Sequence, residues 1–231
     1  MKIERIHDWD VPPSSACELQ RQLAGRIRFE DSLPSISTIA GVDISCNRYS
    51  PTLYAAVVVL KAPDWQVVDT SFAHAEATFP YRTGLLSFRE APVLLNALQS
   101  LKTEPDVVML DGHGYSHPRR FGLACHIGLF LDKPCLGCAK SRLCGSHDPL
   151  PDRANASREI IHKGETIGLA LRTKARCLPV YLSVGHKLNL DRCLAIVRSC
   201  TLGYRLPEPT RQAHIHVNKF RIHCLETARH K

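Results

Sequence analysis

The segment at residues 107–128, VVMLDGHGYSHPRRFGLACHIG, constrains the possible fold of this chain more than any other. Its first four residues form an uninterrupted apolar run, which predicts a buried strand that stops at Asp111. Gly112 and Gly114 follow, and they permit a sharp turn or the close approach of a ligand to the backbone. A carboxylate and a glycine loop at the carboxyl end of a buried strand are where α/β folds bind ligands. The alternative is an aspartate that only caps the next helix, since Asp-Gly is also a turn signal.

The pattern along the rest of the chain predicts a mixed α/β sheet in one domain. Helices are predicted at 17–27, from a serine cap, and at 85–101, 121–132, 189–200 and 209–220. Strands are predicted at 39–46, 54–60, 65–79, 107–111, 134–139 and 176–183. A short turn at 48–51 favours antiparallel pairing of the first two strands. Residues 148–157 are predicted to be a polar loop and residues 216–231 a basic tail that attracts phosphate.

Charge and composition indicate a folded protein with an anionic partner. The 231 residues include 30 Lys and Arg against 22 Asp and Glu, and the apolar fraction of 44% supports a hydrophobic core. The excess of basic residues makes nucleic acid one candidate partner. The first residues show no apolar signal core, and no stretch is long enough to cross a membrane. We therefore expect a cytoplasmic protein.

Ten cysteines raise the possibility of a zinc site. Cys135 and Cys138 form a Cys-x-x-Cys pair, with Cys144 and His147 downstream, which could be a zinc knuckle. Only one such pair is present, and it lies in a predicted strand. Buried free thiols are therefore the expected outcome, and a zinc-binding regulator remains the alternative.

Three acidic residues occupy positions that favour chemistry. Asp43 lies in the apolar middle of a predicted strand, Asp111 ends a buried strand, and Glu90 lies near the start of a helix. A glutamate at a helix start can serve the helix dipole alone. Buried carboxylates that crowd together repel one another unless a cation is present, and Mg²⁺ is held by carboxylates and substrate phosphate. An acidic cluster in a basic protein therefore indicates metal-dependent chemistry on phosphodiesters.

A series of short motifs resembles the endonuclease V family, in the family's order, over about residues 38–215. They are GVDIS at 41–45, PYRTGLLSFRE at 80–90, DGHG at 111–114, HPRRFG at 117–122, GCAKS at 137–141, GH at 185–186 and PEPTRQAH at 207–214. The resemblance implies a ribonuclease H-like fold and a single catalytic domain over residues 1–231. Two departures stand out: Arg82 and Thr83 replace the usual Ile-Pro of the motif, and His113 lies where Gln is common.

The resemblance also implies an activity. A member of this family would be a Mg²⁺-dependent endonuclease, with Mn²⁺ able to substitute, that recognises inosine, the product of adenine deamination. It would hydrolyse the second phosphodiester bond on the 3′ side and leave a 3′-hydroxyl and a 5′-phosphate. The expected partner is DNA that contains deoxyinosine, and the expected role is DNA repair by a monomer. Two alternatives stay open: inosine-containing RNA as the main substrate, and a non-catalytic nucleic-acid-binding protein with the same fold.

Site residues follow from the same resemblance. Asp43, Glu90 and Asp111 would bind the metal, Lys140 would contact the scissile phosphate or the attacking water, and His214 would complete the site. Tyr81 would be a stacking wedge, with a loop-packing aromatic as the alternative, and the base pocket would be formed around Gly84, Leu85, Gly112, Gly114 and His117. Arg119 and Arg120 would bind flanking phosphates, and the alternative is a solvated surface. Without the resemblance, Lys140 would be expected on a solvated surface and His214 on a helix face.

Overall fold

A single α/β domain is built on one mixed sheet. The computed structural model describes residues 1–30 and 33–229, and these contain eight strands and five helices. The strands are β1 (Thr38–Cys46), β2 (Thr52–Lys61), β3 (Gln66–Glu76), β4 (Val107–Leu110), β5 (Cys135–Ala139), β6 (Ala156–His162), β7 (Glu165–Arg172) and β8 (Val180–His186). The helices are α1 (Pro13–Ala24), α2 (Leu86–Gln99), α3 (Leu123–Leu131), α4 (Leu190–Ser199) and α5 (Glu208–Arg229).

The strand order places three carboxyl-terminal strand ends side by side. The order is β3-β2-β1-β4-β5-β8-β7-β6, in which β1, β4 and β5 are parallel neighbours and all other pairs are antiparallel. The antiparallel β1–β2 pair confirms the hairpin predicted from the turn. Because parallel strands end at the same edge, residues that follow β4 and β5 meet the second half of β1 there.

Helices cover both faces of the sheet. Leu94 and Leu98 of α2 and Ile127 of α3 are buried against apolar residues of β1, β2 and β4 on one face. On the other face, side chains of α4 and the buried Ala213 of α5 pack against β4, β5, β7 and β8. Cys135 belongs to the first of these cores and Cys138 to the second. Both are free, buried thiols, as expected. They lie on opposite faces of the sheet, so the two sulfur atoms point away from each other and cannot bind the same zinc ion.

The first helix begins earlier than predicted and without the predicted cap. It starts at Pro13, with Pro12 at the N-cap position and no side-chain cap hydrogen bond, and it ends at Ala24. The prediction of a serine cap was wrong because proline is suited to the first helical position, where no backbone N–H is needed.

The hairpin of β6 and β7 was not predicted. It runs from Ala156 to Arg172, so it begins inside the loop predicted at 148–157, and it turns at Lys163 and Gly164, both at positive φ. The strand predicted at 176–183 is β8, which begins only at Val180, after Pro179.

The carboxyl-terminal segment is helical and not a separate tail. Helix α5 continues to Arg229, beyond the predicted end at 220, and residues 230–231 lie outside the described part. Val217 is fully buried, and the ring of Phe220 lies 6.0 Å from that of Tyr54 on β2. Within residues 1–30 and 33–229, no helix is both long and apolar enough to cross a membrane.

Candidate active site

The edge at which β1, β4 and β5 meet gathers three charged side chains. Asp111 follows the last residue of β4, Lys140 follows the last residue of β5, and Asp43 lies one residue past Val42, which pairs with Leu110. The backbone N–H of Asp111 donates to the carbonyl of Val42 at 3.0 Å, which extends the β1–β4 ladder to the carboxylate. Lys140 Nζ forms an ion pair with Asp111 Oδ2.

Helix α5 brings the histidine. His214 Nδ1 lies 2.8 Å from Asp43 Oδ2. The helix approaches β1 closely because residue 41 is glycine: a Cβ there would lie 1.9 Å from the carbonyl oxygen of Pro209. Asn218 Nδ2 lies 3.3 Å from His214 Nε2 and can only donate. We therefore assign the ring proton to Nδ1, which donates to Asp43.

Glu90 comes from α2 on the opposite face and completes the set. A cleft with about 580 Å³ of empty space is lined by five predicted site residues, Asp43, Glu90, Asp111, Lys140 and His214, together with apolar neighbours. The structure thus brings together every residue for which a catalytic role was predicted.

Burial and mutual repulsion disfavour ionised carboxylates in this cleft. Burial, followed by the nearby charge of Asp111, raises the pKa of Asp43, which is only 8% exposed. Burial raises the pKa of Glu90 to about 8, and the charges of Asp43 and Asp111 add to the shift while Arg89 opposes it. A bound cation would relieve both effects.

The donor set suits a hard divalent ion, although the carboxylates are not drawn together around one point. Three carboxylates supply the oxygen ligands that Mg²⁺ prefers. In the arrangement seen, no three His, Cys, Asp or Glu side chains of the described residues converge closely enough to hold a metal ion. The cation that contacts Asp111 is instead the Lys140 ammonium.

Two further residues link β1 to α5 beside the site, and no site role was predicted for either from the sequence. Ser45 Oγ donates to Asn218 Oδ1 at 3.0 Å, and Asn218 also donates to the carbonyl of His214 at 2.9 Å. Ser45 lies two residues after Asp43 on the strand, and Asn218 one turn after His214 on the helix. This paired spacing is a signal, but only once the contact between strand and helix is known.

A second recess lies next to the cleft and contains most of the predicted base-pocket residues. It has about 590 Å³ of empty space and shares Leu86 and Leu123 with the cleft. Of the predicted substrate-binding residues, four line it: Tyr81, Gly84, Gly112 and His117. Tyr81 is 74% exposed at its rim.

Leu85 and Gly114 have other positions. The Leu85 side chain is buried with Phe79 and Phe88 in a small apolar cluster. Gly114 packs against β8, where a Cβ would lie 2.1 Å from the carbonyl oxygen of Val184. Backbone packing therefore requires glycine at position 114. Neither Leu85 nor Gly114 lines the recess.

The guanidinium groups of Arg119 and Arg120 have partners within the protein. Arg119 donates to Gln20 Oε1 at 2.6 Å and to the carbonyl of Gly84 at 2.7 Å. Arg120 donates to Glu165 Oε2 at 2.7 Å and to the carbonyl of His162. These contacts hold loops together, so the structure does not place either group as a free phosphate ligand.

Comparison with known proteins gives the family. A family model described as Endonuclease V matches residues 21–215. An endonuclease V of Dehalococcoides mccartyi is 46% identical over 215 residues, which cover 93% of this chain and 96% of the relative.

Solved structures agree with the sequence match. The crystal structure of the endonuclease V of Bacillus subtilis superposes with a TM-score of 0.92 at 31% identity, covering 98% of this chain and 100% of that one. The Ciona intestinalis endonuclease V was solved with a 24mer DNA containing an inosine followed by a ribo-adenosine. Its TM-score is 0.80 at 26% identity, covering 91% of this chain and 98% of that one. The fold is therefore the ribonuclease H-like fold of these enzymes, and the chain is a nuclease that belongs to the endonuclease V family.

Proposed function

We propose that this chain is a Mg²⁺-dependent endonuclease that recognises inosine in nucleic acid and cuts the second phosphodiester bond on its 3′ side, in the repair of deaminated DNA. The proposal rests on two adjacent sites, the acidic cleft and the recess, which share lining residues. Leu86 and Leu123 line both the acidic cleft and the glycine-containing recess. A strand whose base enters the recess therefore has its backbone close to the cleft.

Asp43, Glu90 and Asp111 would hold the metal. When bound, Mg²⁺ supplies activation of the attacking water and stabilisation of the leaving oxygen, with Mn²⁺ as a substitute. The protein contributes a buried set of oxygen donors whose repulsion the cation relieves.

Lys140 and His214 would act beside the carboxylates. The Lys140 ammonium is a compact charge suited to a phosphate oxygen, and its ion pair with Asp111 holds it at the cleft. His214 is half-exposed at the rim and fixes the orientation of the Asp43 carboxylate through its Nδ1–H.

The recess would hold the flipped base. Gly112 lets the base lie against the main chain, and His117 supplies a neutral ring, since burial lowers its pKa to about 4, with the charge of Arg119 adding to the effect. The exposed ring of Tyr81 would stack in the gap that the base leaves. Inosine lacks the exocyclic amine of adenine and guanine, so exclusion of that amine would provide selectivity.

RNA is the second candidate substrate. The DNA bound to the Ciona intestinalis relative carries a ribo-adenosine after the inosine. A ribonucleotide next to the lesion is therefore a substrate feature to test for this chain.

End-labelled strands that differ only in one base, inosine or adenosine, test the proposal. Each is incubated with the wild-type protein and with Asp111→Asn, with Mg²⁺, with Mn²⁺ or with a chelator. We expect the wild type to nick only the inosine strand and only with metal, and Asp111→Asn to be inactive though folded. Deoxyribo and ribo versions in competition identify the preferred substrate. Inosine binding without any nick at saturating Mg²⁺ would instead support a non-catalytic binding protein.

A further inference from the structure

The carbonyl oxygen of Gly84 is contacted by three side-chain donors. Gln20 Nε2 lies 3.0 Å from it, Arg119 Nη2 lies 2.7 Å from it and His117 Nε2 lies 3.0 Å from it. The backbone N–H of Arg119 donates to His117 Nδ1 at 3.2 Å, so the ring proton is on Nε2 and is donated to Gly84. A carbonyl has two lone pairs, so this oxygen is fully engaged.

Gln20 is the centre of this arrangement. It lies on α1, is only 1% exposed, and precedes the residues that the family model matches. Its amide accepts from Arg119 Nε at 2.6 Å and also donates to the carbonyl of Phe121 at 2.9 Å. One side chain therefore joins three segments: its own helix α1, the end of the loop before α2, and the loop before α3, which contains both Arg119 and Phe121.

The loop that these contacts hold carries the exposed tyrosine. We call residues 80–83 the Tyr81 loop. At its start, Arg89 Nη1 of α2 donates to the carbonyl of Phe79 at 2.9 Å. At its end, Gly84 has a φ of +78°, and a Cβ there would lie 2.8 Å from Arg119 Nη2. Residues 81–83 are exposed, so the position of this loop over the recess depends on contacts at its two ends.

We propose that Gln20 and Arg119 are positioning residues for the base recess: together they clamp the Gly84 carbonyl and thereby set the position of the Tyr81 loop relative to a bound base. This inference rests on the proposed function of the recess. Neither residue belongs to the acidic cleft, so the clamp acts on recognition and leaves the chemistry at the carboxylates in place.

The test uses Gln20→Met, which keeps the length of the side chain and removes its hydrogen bonds. Gln22→Met is the matched control, since Gln22 is on the same helix with an exposed side chain that contacts Glu18. Arg119→Lys keeps the charge and loses the forked contact to Gln20 and Gly84. It provides a second variant if Gln20→Met does not fold.

Two measurements are made on each variant. The first is hydrogen exchange of the full-length protein, in which the amides of residues 82–85 should exchange about tenfold faster in Gln20→Met than in the control. The second is the kinetics of nicking on inosine and adenosine strands. We expect KM for the inosine strand to rise about tenfold, which corresponds to the loss of roughly one hydrogen bond. We expect kcat to stay within about twofold of the wild type. The preference for inosine over adenosine should fall.

The outcomes separate the two proposals. A wild-type protein without inosine-specific nicking overturns the proposed function, while the exchange measurement still reports on the clamp. A selective wild type whose Gln20→Met and Arg119→Lys variants keep its KM and preference overturns the clamp alone. Faster exchange with unchanged preference also overturns it, because the contacts would then serve the fold and not recognition.

Discussion

Asp43 and His214 are 171 residues apart in the chain, yet His214 Nδ1 lies 2.8 Å from Asp43 Oδ2. Asn218 contacts the other ring nitrogen, Nε2. The second carboxylate oxygen, Asp43 Oδ1, accepts a hydrogen bond from the Ile44 N–H at 2.8 Å. This pair links the middle of β1 to the last helix at the cleft.

Replacing His214 should impair cleavage and leave the fold intact. The side chain is 50% exposed, so His214→Ala removes little packing. We expect a loss of about 10²–10³-fold in single-turnover cleavage, in the range of general acid–base and electrostatic contributions. His216→Ala is the control, because His216 lies on the same helix and its Nδ1 is 2.8 Å from the carbonyl oxygen of Gln212. Equal rates for the two variants would remove His214 from the mechanism.

Lys140 should matter for cleavage and not for metal binding. Its ammonium pairs with Asp111, so it opposes a second cation at that carboxylate. Lys140→Met is expected to lower cleavage by about 10²-fold and to bind Mn²⁺ at least as tightly as the wild type, as measured by calorimetry. Much weaker Mn²⁺ binding by this variant would show that the lysine organises the metal ligands instead.

The raised pKa of Glu90 should make the free energy of unfolding depend on pH. Its pKa of about 8 lies above its ordinary value, so the folded protein keeps a proton that the unfolded chain releases as the pH rises from about 4.5. Stability is therefore lost progressively between about pH 4.5 and 8 in the absence of metal. Glu90→Gln has no such proton to release.

Thermal unfolding in a chelator at several pH values measures this effect. The Tm of Glu90→Gln relative to the wild type should rise by several degrees from pH 5 to pH 8.5. Glu226→Gln, on an exposed position of α5, is the control. A constant difference between Glu90→Gln and the wild type across the range would contradict the repulsion inferred in the cleft.

Gly41 should be essential for the placement of His214. Any Cβ at this position meets the backbone of Pro209, which cannot move without moving α5 away from β1. Gly41→Ala should therefore cost about 2–4 kcal/mol in the free energy of unfolding and abolish cleavage. Gly25→Ala, whose Cβ has 3.8 Å of clearance, should change stability by less than about 1 kcal/mol in the same denaturant titrations. Equal stability of the two variants would rule out the close approach.

The sequence predicted the elements whose signal is local. The apolar run before Asp111 indicated a carboxylate at a strand end, and Asp43 stood out as a carboxylate in the middle of a strand; the structure brings both to one cleft. Lys140 and His214 were predicted only through resemblance, since a lone lysine or histidine has no local signature. The predicted serine cap of α1 was wrong because proline occupies the start of that helix. The predicted end of α5 was wrong because packing against the sheet outweighed the local signals.

Contacts between segments far apart in the chain could not be predicted from the spacing of residues in the sequence. Gln20 reaches the carbonyl of Phe121 across 101 residues, and its sequence context is an ordinary amphipathic helix. Gly114 was predicted to face the base, whereas its glycine is required by the neighbouring strand β8. In both cases the function of the residue is set by which segments meet, and that information is absent from residue spacing.

Mapping the nick at single-nucleotide resolution is the decisive experiment for inosine-directed, metal-dependent cleavage by this chain. A strand with one inosine at a known position is cut by the wild type with Mg²⁺, and the product is run beside a sequencing ladder with its end groups identified. We expect one nick at the second phosphodiester bond on the 3′ side of inosine, with a 3′-hydroxyl and a 5′-phosphate, and no nick in a chelator. A nick that is independent of metal, or scattered without regard to inosine, would contradict it.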